Sequence, residues 1–139
     1  DLTITDISFH LKIPEVGGLI KLGIYSSDNF LPTTLVWQSS NYSLETGTLI
    51  TISAGVSIQR NKMYWLGHIV NKNATLKIKC YQMYQSPPIY VAAGIGYTTD
   101  IVNMFRIPYT FGDLPSNTNG LTLLPTFWNE PMFKIKISK

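Results

Sequence analysis

The chain has 139 residues, a formal net charge of +3 and a hydrophobic share of 45%, enough for one domain with a core of its own. Val, Ile, Thr, Phe, Tyr and Trp supply 53 residues while Ala and Glu together supply 7, which excludes an all-α fold and disfavours an α/β one. Charged residues are 14%, against about 25% in ordinary soluble domains, and 12% aromatics exclude intrinsic disorder.

Residues 2–13 alternate as a strand but change phase: Leu2 and Ile4 share one face, whereas Ile7, Phe9, Leu11 and Ile13 share the next. A one-residue slip near Asp6 predicts a bulge or a strand that crosses between sheets. Pro14 and Gly17-Gly18 then supply turn chemistry. Ile20, Leu22 and Ile24 alternate with Lys21, Gly23 and Tyr25 in a second strand. Ser26, Ser27, Asp28, Asn29 and Pro32 read as a loop before a short strand at residues 35–38. Residues 48–58 form two alternating pieces broken at Ala54-Gly55.

Residues 63–70 are apolar on both faces, with Trp65 and Leu66 on opposite sides, the pattern of a central strand buried on both faces. Asn71-Lys72-Asn73 turns that strand into a hairpin partner at residues 75–81, with Leu76, Ile78 and Cys80 inward. Between residues 82 and 128 the alternation weakens, which predicts short strands, one near residues 89–93, joined by long loops. Phe133, Ile135 and Ile137 alternate with Lys134, Lys136 and Ser138 in a closing strand. Short strands at intervals of about 8–12 residues predict an all-β fold: a single antiparallel β-sandwich, jelly-roll-like, over residues 1–139.

Nothing in the sequence assembles a catalytic constellation, so no enzyme, metal or cofactor is expected. His10 and His68 fall in strand patterns without Asp or Cys at ligand spacing, and the eight carboxylates never cluster. Asp28-Asn29 could offer oxygens to calcium, but an Asx turn is the simpler reading. Arg60 and Arg106 are the only arginines, and the pairs Lys77/Lys79 and Lys134/Lys136 each fall on one sheet face. Solvated sheet faces are therefore expected, with no nucleic-acid partner. No apolar run approaches the ~18 residues of a spanning helix, so membrane insertion is not expected. The single Cys80 leaves no internal disulfide.

The residues that suit recognition gather in the loop-rich half. Tyr81, Tyr84, Tyr90, Tyr97, Tyr109 and Trp128 are interleaved there with Gln82, Gln85, Asp100, Asn103, Arg106 and Asn129. Flat apolar rings beside amides and charges suit sugar binding, and protein interfaces use the same ingredients. Tyr84, Tyr97, Asp100, Asn103, Arg106 and Trp128 are the expected ligand contacts, rings stacking and the others hydrogen-bonding.

The run from Gly23 to Leu35, GIYSSDNFLPTTL, resembles a segment of the β-sandwich domains at the C-terminal tips of phage tail fibres and related virion proteins. Asn61-Lys62-Met63-Tyr64-Trp65-Leu66 is similar to the turn and "YWLA" strand of those domains, and Phe111-Gly112-Asp113-Leu114-Pro115-Ser116 to their "G-x-L-P" loop. The closing strand at residues 131–137 continues the likeness; Thr33 and Gly67 depart from it, standing where the pattern prefers Gly and Ala. The resemblance implies a C-terminal fragment of a longer fibre protein, attached to the virion. It further implies a homotrimer that adheres without catalysis to a host glycan or outer-membrane receptor protein. The chain opening at Asp1 fits a fragment, and the alternative is a structural virion module with no external ligand.

Overall fold

A computed structural model of the chain describes residues 1–45, 49–71, 77–78, 80–81, 104–126, 130–131 and 133–139. Its elements are β1 (Leu2–Ile13), β2 (Leu19–Asp28), β3 (Leu31–Gln38), β4 (Tyr42–Ser43), β5 (Leu49–Ile58) and β6 (Tyr64–Val70). Shorter pieces follow: β7 (Lys77–Ile78), β8 (Cys80–Tyr81), β9 (Met104–Arg106), β10 (Leu124–Thr126) and β11 (Glu130–Pro131), before β12 (Phe133–Ser138). There is no helix among the described residues.

Two four-stranded antiparallel sheets pack face to face as a β-sandwich. The first sheet has β1 at its centre, with β5 on one side and β12 on the other, while β7 pairs with the last residues of β1. The second is built around β2, with β3 and β4 along one edge and β6 along the other. Consecutive strands thus become the centres of opposite sheets. The turn between them depends on Gly17, whose φ of 68° suits glycine. The Asn71 side chain secures that turn, accepting from Leu19 N at 2.8 Å and donating to Gly17 O at 3.0 Å.

Alternation decides what lies between the sheets. Ile4, Ile7, Phe9 and Leu11 of β1 meet Ile20, Leu22 and Ile24 of β2 in one buried cluster, completed by Leu44, Ile50, Ile52 and Val56. The phase slip at Asp6 is a bulge. Ile4 pairs with Ile137 and Asp6 with Lys136, so Thr5 is one residue more than β12 supplies. Across β1, Ile4 pairs with Val56 and Asp6 with Ser53, so β5 inserts one residue more again, and Gly55 there adopts a φ of 62°. The break at Ala54-Gly55 and the slip at Asp6 are one distortion crossing three strands. Their common effect keeps Ile4 and Ile7 both facing the core.

Several expectations need correction. The strand at residues 63–70 is not buried on both faces as expected: among the described residues β6 has one neighbour, β2, and all seven of its residues are half-buried. Its face shared with the core carries Tyr64, Leu66, His68 and Val70, in register with Ser26, Ile24, Leu22 and Ile20. The strand buried on both faces is β2, where Lys21 and Tyr25 on the far side are buried as well as Ile20 and Leu22 on the core side. The expected hairpin between residues 63–70 and 75–81 is not seen among the described residues either. β7 pairs with Leu11 and Ile13 of β1, and β8 pairs with β11. The strand expected near residues 89–93 lies outside the described residues.

The expected loop at residues 26–32 is also a strand pair. β2 runs on to Asp28, and Asn29-Phe30 makes a two-residue turn with φ values of 47° and 62° before β3 begins at Leu31. The serines are absorbed by cross-strand bonds: the Ser26 and Thr33 hydroxyls lie 3.2 Å apart, and Trp65 Nε1 donates to Ser27 Oγ at 3.1 Å. Asp28 and Asn29 therefore serve the hairpin.

Candidate functional site

β9 and β10 pair through Arg106↔Leu124, Phe105↔Pro125 and Met104↔Thr126, and the long connection between them folds over the outer face of the second sheet. That connection, residues 107–123, is termed the strap. It explains why Lys21, Gly23 and Tyr25 are buried on the face of β2 that points away from the core. Leu114 lies directly over Gly23, where an added Cβ would overlap the Leu114 Cδ1 methyl, with Leu35 alongside. Glycine lets the two leucine side chains close directly onto the backbone there.

Hydrogen bonds then fasten the strap along its length. The Tyr25 hydroxyl donates to Pro115 O at 3.0 Å, and Leu114 N donates to Gln38 Oε1 at 3.0 Å. Leu35 N donates to Ser116 O at 2.8 Å, Thr118 N to Thr33 O at 2.9 Å, and the Thr118 hydroxyl to Pro32 O at 2.6 Å. Thr34 and Asn117 form an antiparallel bridge. The strap thereby covers the outer edge of β3, a backbone row otherwise open to pairing with another chain.

At its leading end the strap frames a shallow cleft of about 520 Å³, lined by Pro108, Tyr109, Thr110, Gly112 and Asp113. Tyr109 is 47% exposed. The Asp113 side chain is 81% exposed yet fixed, because Lys21 Nζ reaches its Oδ1 at 2.6 Å from beneath. Burial, with the phenol of Tyr109 adding, pushes the Tyr25 phenol from 10 up to about 12, so the hydroxyl holding Pro115 keeps its proton further into the alkaline range. The cleft thus offers a ring face, a hydroxyl and an acceptor carboxylate, groups that stack on and hydrogen-bond to a ligand.

His68 lies elsewhere, in register with core-facing Leu22 and with its ring centroid 5.7 Å from that of Phe133; burial holds its imidazole below the ordinary histidine range. Among the described residues no three His, Cys, Asp or Glu side chains gather as a metal would require.

Of the contacts expected from sequence, Arg106 alone falls among the described residues. Tyr84, Tyr97, Asp100, Asn103 and Trp128 lie outside the described residues, and Arg106 ends β9 opposite Leu124, on a strand at the foot of the strap. Thr110 and Asp113 escaped sequence reading because nothing in their spacing marks them. Their signal was indirect: a lysine and a glycine alternating with Ile20, Leu22 and Ile24 mark a face that needs a cover.

Three of the four segments that carry the resemblance come together here, while the closing strand lies in the other sheet. Tyr64-Trp65-Leu66 pairs with Ser26, Tyr25 and Ile24, and Leu114-Pro115 of the strap closes over Gly23 and Tyr25. No protein-family model, curated protein or solved structure matches the chain.

Proposed function

We propose that the chain is a non-catalytic adhesion domain from the tip of a phage or viral fibre, binding a host-surface glycan at the strap cleft. One observation carries the reading: an exposed tyrosine and a pinned carboxylate share an open cleft on a loop anchored to a rigid sheet. Sugar hydroxyls and C–H faces call for that pairing, and a pre-ordered loop loses little entropy on binding. The resemblance to fibre-tip domains, three of whose four segments come together at the strap, supports the same reading. A homotrimer belongs to it. Ile135 and Ile137, on the face of β12 shared with core residues Ile7 and Ile4, remain 43% and 50% exposed, an apolar edge that a symmetry mate would cover.

The purified chain should label host cells and compete with virion adsorption. Truncating Tyr109 to Ala should reduce binding by about thirtyfold with the melting temperature unchanged. Full binding by Tyr109→Ala, with loss on truncation of Tyr84, Tyr97, Asp100, Asn103, Arg106 or Trp128, would move the site to those residues. A chain that binds no host surface would overturn adhesion in favour of the structural virion role.

A further inference from the structure

The cleft is electrically lopsided. Pro108, Tyr109, Thr110 and Gly112 carry no charge, so Asp113 alone sets the sign of its lining. With Lys21 Nζ on Asp113 Oδ1 at 2.6 Å the pair is close to neutral at a distance, but the lysine is buried to 7% exposure beneath the strap, so at contact range a ligand meets the carboxylate oxygen and not the ammonium. Stability alone gives a poor reason for that lysine. A well-packed apolar side chain on a covered sheet face is commonly as good or better, whereas a buried ammonium must be compensated. What Lys21 adds is direction: it ties one carboxylate oxygen from below while 81% of the Asp113 side chain stays open to solvent. An ionised carboxylate is acceptor-only, with lone pairs enough on its second oxygen for two hydroxyl donors.

From this geometry we propose that the cleft selects neutral sugars presenting adjacent hydroxyls and rejects acidic ones, Asp113 being the hydroxyl acceptor and Lys21 its positioning residue. The proposal rests on the reading of the cleft as the glycan site. A neutral pyranose places a C–H face on Tyr109 and two neighbouring hydroxyls against Asp113, with Thr110 able to donate or accept beside them. A sialic or uronic acid brings a second carboxylate to a site with no free cation among its described lining residues, and like charges at short range oppose binding.

Calorimetric titration of the intact chain with lactose, mannobiose, sialyllactose and a glucuronic-acid disaccharide tests this. At least one neutral sugar should bind about tenfold or more tightly than the acidic ones. Asp113→Asn should cut neutral binding about tenfold and narrow the neutral-to-acidic ratio; because it leaves the buried Lys21 ammonium without its carboxylate, the melting temperature should fall too, and binding is compared well below it, where the variant is folded. Lys21→Met should lower neutral affinity and that same ratio although Asp113 is still present, with partial recovery in Lys21→Arg; a purely structural lysine would not move the ratio. Acidic sugars bound as well as neutral ones would overturn the proposal. So would unchanged binding by Asp113→Asn alongside loss in Tyr109→Ala, an outcome that leaves the glycan cleft standing. Sugar binding untouched by both variants, or absent from the whole set, removes the cleft reading and the selectivity with it.

Discussion

Gly23 and Gly67 are neighbours in register on β2 and β6, yet their substitutions should differ in sign. A Cβ at Gly23 overlaps the Leu114 Cδ1 methyl and crowds Leu35 Cδ1, so both side chains have to turn aside in Gly23→Ala, which should cost about 1 kcal/mol. A Cβ at Gly67 comes no closer than 3.6 Å to Tyr25 Cε2, an ordinary contact, so Gly67→Ala should be neutral or stabilise by up to about 1 kcal/mol. Urea midpoints for the two variants and for Gly23→Ala/Leu114→Ala, which should recover part of the loss, check this. Two titrating residues bound the pH range. The Tyr25 phenol is raised from 10 to about 12 in the folded chain, so its contribution is complete below pH 10 and fades as pH climbs toward 12. That limb is worth about 2–3 kcal/mol and should be flattened in Tyr25→Phe. His68 works in the opposite direction: held neutral by burial, it favours folding above its ordinary 6.5 and penalises it as pH falls below. Stability curves for His68→Gln should lose the acid slope and keep the alkaline one.

Among the elements, energy and visibility in the sequence part company. β1 and β2 were legible because each puts a run of aliphatic residues on one face, and the bulge showed as a broken phase in both β1 and β5. β6 looked like the centre because its two faces are apolar, but the sheet it belongs to is covered on both sides, by the core and by the strap. Two-sided covering and central position give the same sequence pattern; only pairing tells them apart. Trp65→Ala on this half-buried strand should therefore cost no more than about 2 kcal/mol, against about 3–5 kcal/mol for Phe9→Ala in the core, by chemical denaturation. The β2–β3 turn was hidden for a different reason. Asn29 suits a positive φ, but Phe30 stands where turn chemistry asks for Gly, so the hairpin carried no recognisable signature. Of the candidate site, Tyr109 was visible as an aromatic outside any alternation. Asp113 was not, since its role depends on a lysine 92 positions away.

For the molecule as a whole, the proposed trimer has a direct measurement. Sedimentation equilibrium at micromolar concentration should give three times the 15.6 kDa chain mass. Ile135→Lys/Ile137→Lys should return it to a single chain without loss of fold, since both positions are already about half exposed. A single-chain mass for the unaltered protein would refute the trimer. The pairing of the first strand with the last has a consequence of another kind. Thr3 and Ser138 are direct partners across β1 and β12, so the described chain comes back to where it started and is nearly a ring. A few glycines would join its ends, and new ends opened within exposed residues 59–62, between β5 and β6, would leave every strand named here uncut. Such a circular permutant should fold with its cleft unaltered, because the order in which the strands are spelled matters less to this sandwich than which strands lie side by side.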